Sequence, residues 1–294
     1  MNEILALMGR NIRVYLRDKV AVFFSFLSVI ILLLIYILFL GNQFTSGSFS
    51  QFMTQGEIDF FKYSVMMPGV LVLNTITISV GNLGTLIEDV SKRYLDGFLV
   101  TPVKRGKIVV AYYLTSLLLT IIFTILMWLL AVLLIGLTTG IYYQVSVIFE
   151  SIGLIVLFSF ISSSMMVLIT TFIKSINAFG AFSGVFGSLV GFVTGIYMPL
   201  SVLPEFMVHI SSLVPFTHFV ILLKSIVMRQ SLEIIEGYGI PAEGIESIKD
   251  GFGANEIGIF GMQVDMLWIV IASLILAVGF LAIATIRMNR RIKQ

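Results

Sequence analysis

His209 and His218, with Glu205 just upstream, are the nearest approach in this sequence to a metal or acid–base site. Two imidazoles and a carboxylate are a thin ligand set, and the chain has no cysteine to extend it. Thiol catalysis, disulfides and cysteine-ligated metals are therefore excluded. The Gly-Lys pair at Gly106-Lys107 is followed by Ile108 and lacks the upstream glycine of a phosphate-binding loop. No nucleophile elbow, paired-histidine zinc motif or kinase signature is present. The histidines read as satisfied residues of an apolar hairpin, so no catalytic residue, metal or cofactor is assigned to the chain.

Weaker polar groups recur at helical spacing. Asn74, Thr77, Gly81 and Thr85 form one stripe, with Thr75, Ser79 and Asn82 beside it. Ser159, Ser162, Ser163 and Thr170 share a face, and Gly180, Gly184, Gly187, Gly191 and Gly195 recur every three or four residues. Small-xxx-small spacing lets helices approach closely. One reading is a mildly polar, uncharged path beside a close-packed interface, which suits an amphipathic cargo better than an ion. The other reading is ordinary helix packing.

The elements that carry these stripes are set by composition. Hydrophobic residues make up 58% of the 294 residues and charged residues 12%, whereas a soluble domain carries roughly 45–50% and 25%. Too few charges remain to cover a water-facing surface, which disfavours a soluble enzyme, a disordered chain and a free nucleic-acid binder. A bilayer core about 30 Å thick needs about 20 apolar helical residues. Stretches free of Asp, Glu, Lys and Arg, trimmed at turn signals, predict six spans at about 21–40, 66–86, 110–136, 151–172, 178–197 and 266–286. Pro68 falls in the first turn of the second, where proline is tolerated, and Pro199 is expected to stop the fifth. The segment 206–223, broken by Pro215, reads as a re-entrant outer hairpin, so 199–265 holds hairpin and insert; a seventh span is the alternative. The first span is too long for a signal peptide and has no small-residue cleavage site after it. No ionisable residue lies near the middle of any predicted span. Ion-coupled carriers and charged-filter channels rely on such residues, so energy for uphill transport would come from outside the chain.

With the N-terminus inside, 14 of the 18 Lys and Arg residues fall on the inner side, as the positive-inside rule requires. The expected address is the cytoplasmic membrane, with both termini in the cytoplasm. Residues 2–19 form an amphipathic helix whose Glu3, Arg10, Arg13 and Arg17 share a stripe, placing the arginines on lipid phosphates or simply anchoring the topology. Between spans two and three, Val90, Tyr94, Leu95, Phe98 and Leu99 cover one half of a helical wheel. Asp89, Lys92, Arg93 and Asp96 cover the other, and Pro102 ends the helix after Thr101. Such a helix can dock its apolar face in a partner's groove, or it is a solvated connector.

Three segments, MGRNIRVYLRDKVAVFFSF, LDGFLVTPVKRGKI and GIYMPLSVLPEFMVHISSLVPFTHFVILLKSI, occur in this order over nearly the whole chain. Together they resemble the membrane subunits of type-2 ATP-binding-cassette exporters, a group of drug, antibiotic, lipid and polysaccharide permeases. The resemblance implies an all-α polytopic fold, one transmembrane domain over 1–294, with an N-terminal connecting helix, a cytoplasmic coupling helix and a broken outer hairpin before the last span. It implies a second permease subunit, as homo- or heterodimer, and two copies of a separate ATPase subunit that holds the ATP and Mg. The residues expected to meet the ATPase are Asp89, Arg93, Tyr94, Phe98, Thr101 and Pro102. Those expected at the translocation path and dimer seam are Asn74, Thr77, Gly81, Gly184, Gly187 and Gly191. The cargo expected is a hydrophobic or amphipathic compound; the rivals are a glycan exporter of the same architecture and a non-transporting membrane scaffold or sensor. The insert at 231–263, with seven glycines, is not required by the family's core.

Overall fold

The computed structural model describes residues 2–20, 22, 23, 27, 52–95, 97, 104–197, 200, 203–255 and 265–291, without the side chains of 2, 105 and 289–291. Its described residues are all-helical. In order they form α1 (Asn2–Arg17), α2 (Gln55–Ser91), α3 (Arg105–Thr139), α4 (Val145–Thr170) and α5 (Ile176–Val193). Then come α6 (Glu205–Ser212), α7 (Pro215–Val227), α8 (Arg229–Gly237), α9 (Ala242–Gly251) and α10 (Met266–Arg291). Among these, α2, α3, α4, α5 and α10 are long and apolar enough to cross a membrane. The first predicted span, 21–40, lies almost wholly outside the described residues.

α2 and α3 overrun their predicted bounds at both ends. α2 has 37 residues, about 55 Å at 1.5 Å per residue, so both ends stand clear of a hydrocarbon layer of about 30 Å. Its start is set by a capping box: the Glu57 N–H donates to the Thr54 hydroxyl, and the Thr54 N–H donates to the Glu57 carboxylate at 2.8 Å. Pro68 therefore lies inside the helix rather than in its first turn, at a level where packed neighbours make a missing N–H tolerable in membrane helices. α5 stops at Val193, short of Pro199, because Gly195 takes a left-handed φ of 71° and Ile196 and Tyr197 turn back to the Gly191 carbonyl. Pro215 does break its segment: α6 and α7 meet at 90°. His218 closes that corner through a 2.8 Å bond between its Nε2 and the Ser212 carbonyl.

The main core lies among α2, α3, α4 and α7, with α5 and α10 on its flanks. Phe158 stacks on Phe219 at 4.3 Å, and Trp128, fully buried, sits 5.4 Å from the Tyr143 ring. The outward faces of α3 and α10 show Leu126, Leu130, Leu133, Ile275 and Val278, an apolar exterior that suits lipid. α1 lies along α3, with Tyr15 buried beside Phe123. At the opposite end of α2 a smaller apolar cluster forms around Phe61, Leu232, Ile245 and Phe252, which holds α8 and α9 as a separate lobe.

Candidate functional site

The densest charged cluster is where α1, α2 and α3 meet. Asp89, in the last turn of α2, is 3% exposed. Both its oxygens are taken by the Arg10 guanidinium, one of them at 2.8 Å, and Tyr112 of α3 donates its hydroxyl to the same carboxylate. Arg10 also donates to Asn11 at 3.1 Å. The hydrogen bonds to Asp89 hold the Arg10 guanidinium above its ordinary pKa. A second link runs beside it: Lys107 at the start of α3 donates to Glu3 at 2.7 Å, which lowers the Glu3 pKa. A bidentate pair is directional as well as strong, so α1 is registered against the end of α2.

Directly after this pin the chain turns. Lys92, Arg93 and Tyr94 are exposed and Leu95 is buried. Arg93 takes a left-handed φ of 58°, and the Leu95 N–H returns to the Asp89 carbonyl at 3.3 Å. The expected amphipathic helix from Asp89 to Pro102 is therefore not one helix. Its first residues belong to α2, and residues 92–95 form a turn. Asp89, expected on the solvated half, faces inward because only there does a carboxylate meet Arg10 and Tyr112. Tyr94 projects at 55% exposure. Phe98, Thr101 and Pro102 lie outside the described residues.

The polar stripes are sorted by the neighbours of α2. Thr75 shares a 3.0 Å hydrogen bond with Ser162, and Ser79 shares bonds of 3.0 and 3.1 Å with Thr120 and Ser163. Ser116 donates to Ser163 at 3.3 Å, and Asn74 to Thr124 at 3.4 Å. These groups are almost fully buried. They form a hydroxyl seam joining α2, α3 and α4, in which Asn74 is buried. Interhelical hydroxyl bonds of this kind contribute about 0.6–2 kcal/mol each in a membrane. Thr77 and Gly81 are half-buried. They share the face of α2 on which Gly84 lies, and a Cβ built on Gly84 would stand 3.2 Å from the Phe179 ring of α5.

The glycines of α5 split in two. A Cβ built on Gly184 or Gly187 meets no described atom within 4 Å, whereas one on Gly191 would stand 2.2 Å from the Tyr197 ring of the same chain. Gly191 thus leaves room for the Tyr197 ring, which would have to move if a side chain were added there. Gly184 and Gly187 lie on a part of α5 where a Cβ meets no described residue, flanked by the exposed Val185 and Leu189.

The Arg10–Asp89 pin escapes a helical-wheel reading, because each wheel places its residue on a solvated face. A signal was present in α2: Thr75, Asn82 and Asp89 fall seven residues apart, and all are buried. A polar line that continues down to a carboxylate marks the side on which a cation must arrive. His209 and His218 gather no ligand set; among the described residues no cluster suited to a metal occurs.

Comparison with known families matches residues 2–228 to the model described as ABC-2 type transporter. The match covers α1 to α7 and ends before the α8–α9 lobe. No match was found among curated proteins.

Proposed function

The chain belongs to the ABC-2 type transporter family, and from that premise we propose that this multi-pass permease is driven by a separate ATPase subunit, bound in two copies, and exports a hydrophobic or amphipathic compound. In this reading the membrane is the cytoplasmic membrane, both termini are cytoplasmic, and a second permease subunit completes the complex. ATP and Mg belong to the ATPase.

The observation that carries the reading is the Arg10–Asp89–Tyr112 pin beside the exposed 92–95 turn. A force applied at that turn meets the end of α2 and, through the ion pair, α1 and α3 together. The three helices then shift as one body, which is what a subunit without its own ATPase needs. Tyr94 stands out from the turn as an aromatic anchor of the kind that dominates interfaces. Two features support an uncharged cargo. The hydroxyls of Thr75 and Ser79 are spent on α3 and α4, and the remaining surface along α2 and α5 offers Thr77, Gly81 and small or apolar side chains. This favours an amphipathic molecule over a glycan, which would need many exposed hydrogen-bonding groups.

The test is reconstitution in lipid vesicles with the ATPase encoded nearest to the gene. ATP hydrolysis stimulated by the permease, together with ATP-dependent movement of a lipophilic dye or a fluorescent phospholipid, is the expected result. Hydrolysis unaffected by the permease, with no movement of either probe, would favour the scaffold or sensor.

A further inference from the structure

Lys224, in the last turn of α7, is 6% exposed, and its ammonium donates to the carbonyl oxygen of Phe252 at 2.7 Å. An ammonium carries three donors, and no other partner for Lys224 occurs among the described residues. Among the carboxylates on neighbouring elements, Glu57 accepts from Tyr238, Glu150 from Arg229, and Glu246 from Lys249, and none of these three pairs with Lys224. A buried cation is thus held by one neutral oxygen, and that oxygen belongs to the lobe beyond the family match.

We propose that the α8–α9 lobe is a latch across this end of the bundle, closed by its apolar cluster and kept easy to open by the buried Lys224 ammonium, whose acceptor is the Phe252 carbonyl. The lobe rests on its own small apolar cluster, in which Phe252 meets the Phe61 ring edge-on at 5.2 Å. Its other polar ties to the rest of the chain, Arg229 to Glu150, Tyr238 to Glu57, Gln144 to Gln230 and Glu233, and Gln230 to the Tyr142 carbonyl, lie at the exposed surface, where such contacts contribute little. A poorly compensated buried charge opposes closure, while the apolar cluster favours it. The two effects offset each other and leave the lobe near its opening point, as a segment that must open and close requires. Lys224 stands on α7, which packs on α2, α4 and α10, so a shift within the bundle that draws Lys224 from its acceptor leaves the charge uncompensated and opens the lobe. An ordinary structural lobe would place an apolar residue at 224.

The latch makes a prediction opposite in sign to that for a stabilising bond. Lys224→Met keeps the length of the side chain and removes the charge, so the lobe closes more tightly. The native chain has no cysteine, and Ile245, in the lobe's cluster, is 9% exposed. With Ile245→Cys as the sole thiol, in nanodiscs, maleimide labelling should be about tenfold slower in Lys224→Met than with Lys224 present, the small end of the range for replacing a buried ion with an apolar group. Equal or faster labelling overturns the latch. This arm needs neither ATPase nor cargo. A second arm rests on the transporter reading: Phe61→Cys with Phe252→Cys, bridged by a cleavable bis-maleimide, should abolish stimulation of the partner ATPase until the bridge is cut. Undiminished stimulation by the bridged permease overturns the latch, whereas no stimulation before bridging overturns the transporter reading instead. Should Lys224→Met fail to fold, the bridged pair decides.

Discussion

Removing Arg10 and removing the Asp89 charge should have unequal effects, because the two side chains are buried unequally. Asp89 is 4% exposed at its side chain and Arg10 is 29% exposed. In Arg10→Ala the carboxylate stays buried, with Tyr112 as its remaining strong donor. Stranding a buried charge costs about 3–5 kcal/mol. At roughly 2–4 °C per kcal/mol for a large domain, Tm should fall by about 6–20 °C. In Asp89→Asn the guanidinium can swing to water, as long basic side chains do, and the loss should be about 1–2 kcal/mol. The double variant Arg10→Met, Asp89→Leu should recover much of the loss, since an apolar pair of similar volume replaces a buried ion pair at little net cost. The assay is thermal unfolding in a single detergent, followed by fluorescence from Trp128 and Trp268. Stimulation of the ATPase is read in parallel. The recovered double variant should fold yet couple poorly, because an apolar contact lacks the directional grip of the bidentate pair. If Arg10→Ala unfolds within about 2 °C of the parent, or if the two single variants are equal, the pin does not hold these helices in the way argued.

Gly187→Leu should leave the isolated subunit folded, since a Cβ at this position meets no described atom within 4 Å; if α5 lines the seam with a second permease, dimer recovery in detergent should fall. Gly191→Leu should instead lower stability by itself, because the new side chain collides with Tyr197. Tyr94→Ala should weaken capture of the ATPase by about 30- to 1000-fold if that exposed ring is an anchor. Ser91→Ala serves as control, and both are measured by co-purification and titration. Single cysteines at Lys92 and Lys249 should differ on intact cells: an impermeant thiol reagent that labels Lys92→Cys but not Lys249→Cys reverses the orientation.

An all-helical membrane chain is legible from one-dimensional facts. Long charge-free stretches, proline and glycine punctuation, and basic residues gathered on one side need no knowledge of neighbours. Bilayer thickness and the cost of an unpaired backbone group in lipid act on each segment alone. The break at Pro215 was readable for the same reason. The precise ends were not, because Thr54, Glu57 and Gly195 act through caps and turns that extend or stop a helix regardless of its hydropathy.

What each face of a helix does was decided only by the fold. On a wheel Asp89 belongs with Lys92 and Arg93; in the structure it turns inward because α1 brings a guanidinium from 79 residues away. Asn74, Ser79 and Thr75 read equally well as a path or as packing, and the arrival of Thr124, Thr120 and Ser162 on two other helices closes them into a seam. Gly187 and Gly191 are the same residue in the same repeat, yet Tyr197 covers one and leaves the other open. Periodicity says which residues share a side of a helix. Only the tertiary structure says what stands opposite, and the energy of a polar or small residue in a membrane is set by what stands opposite.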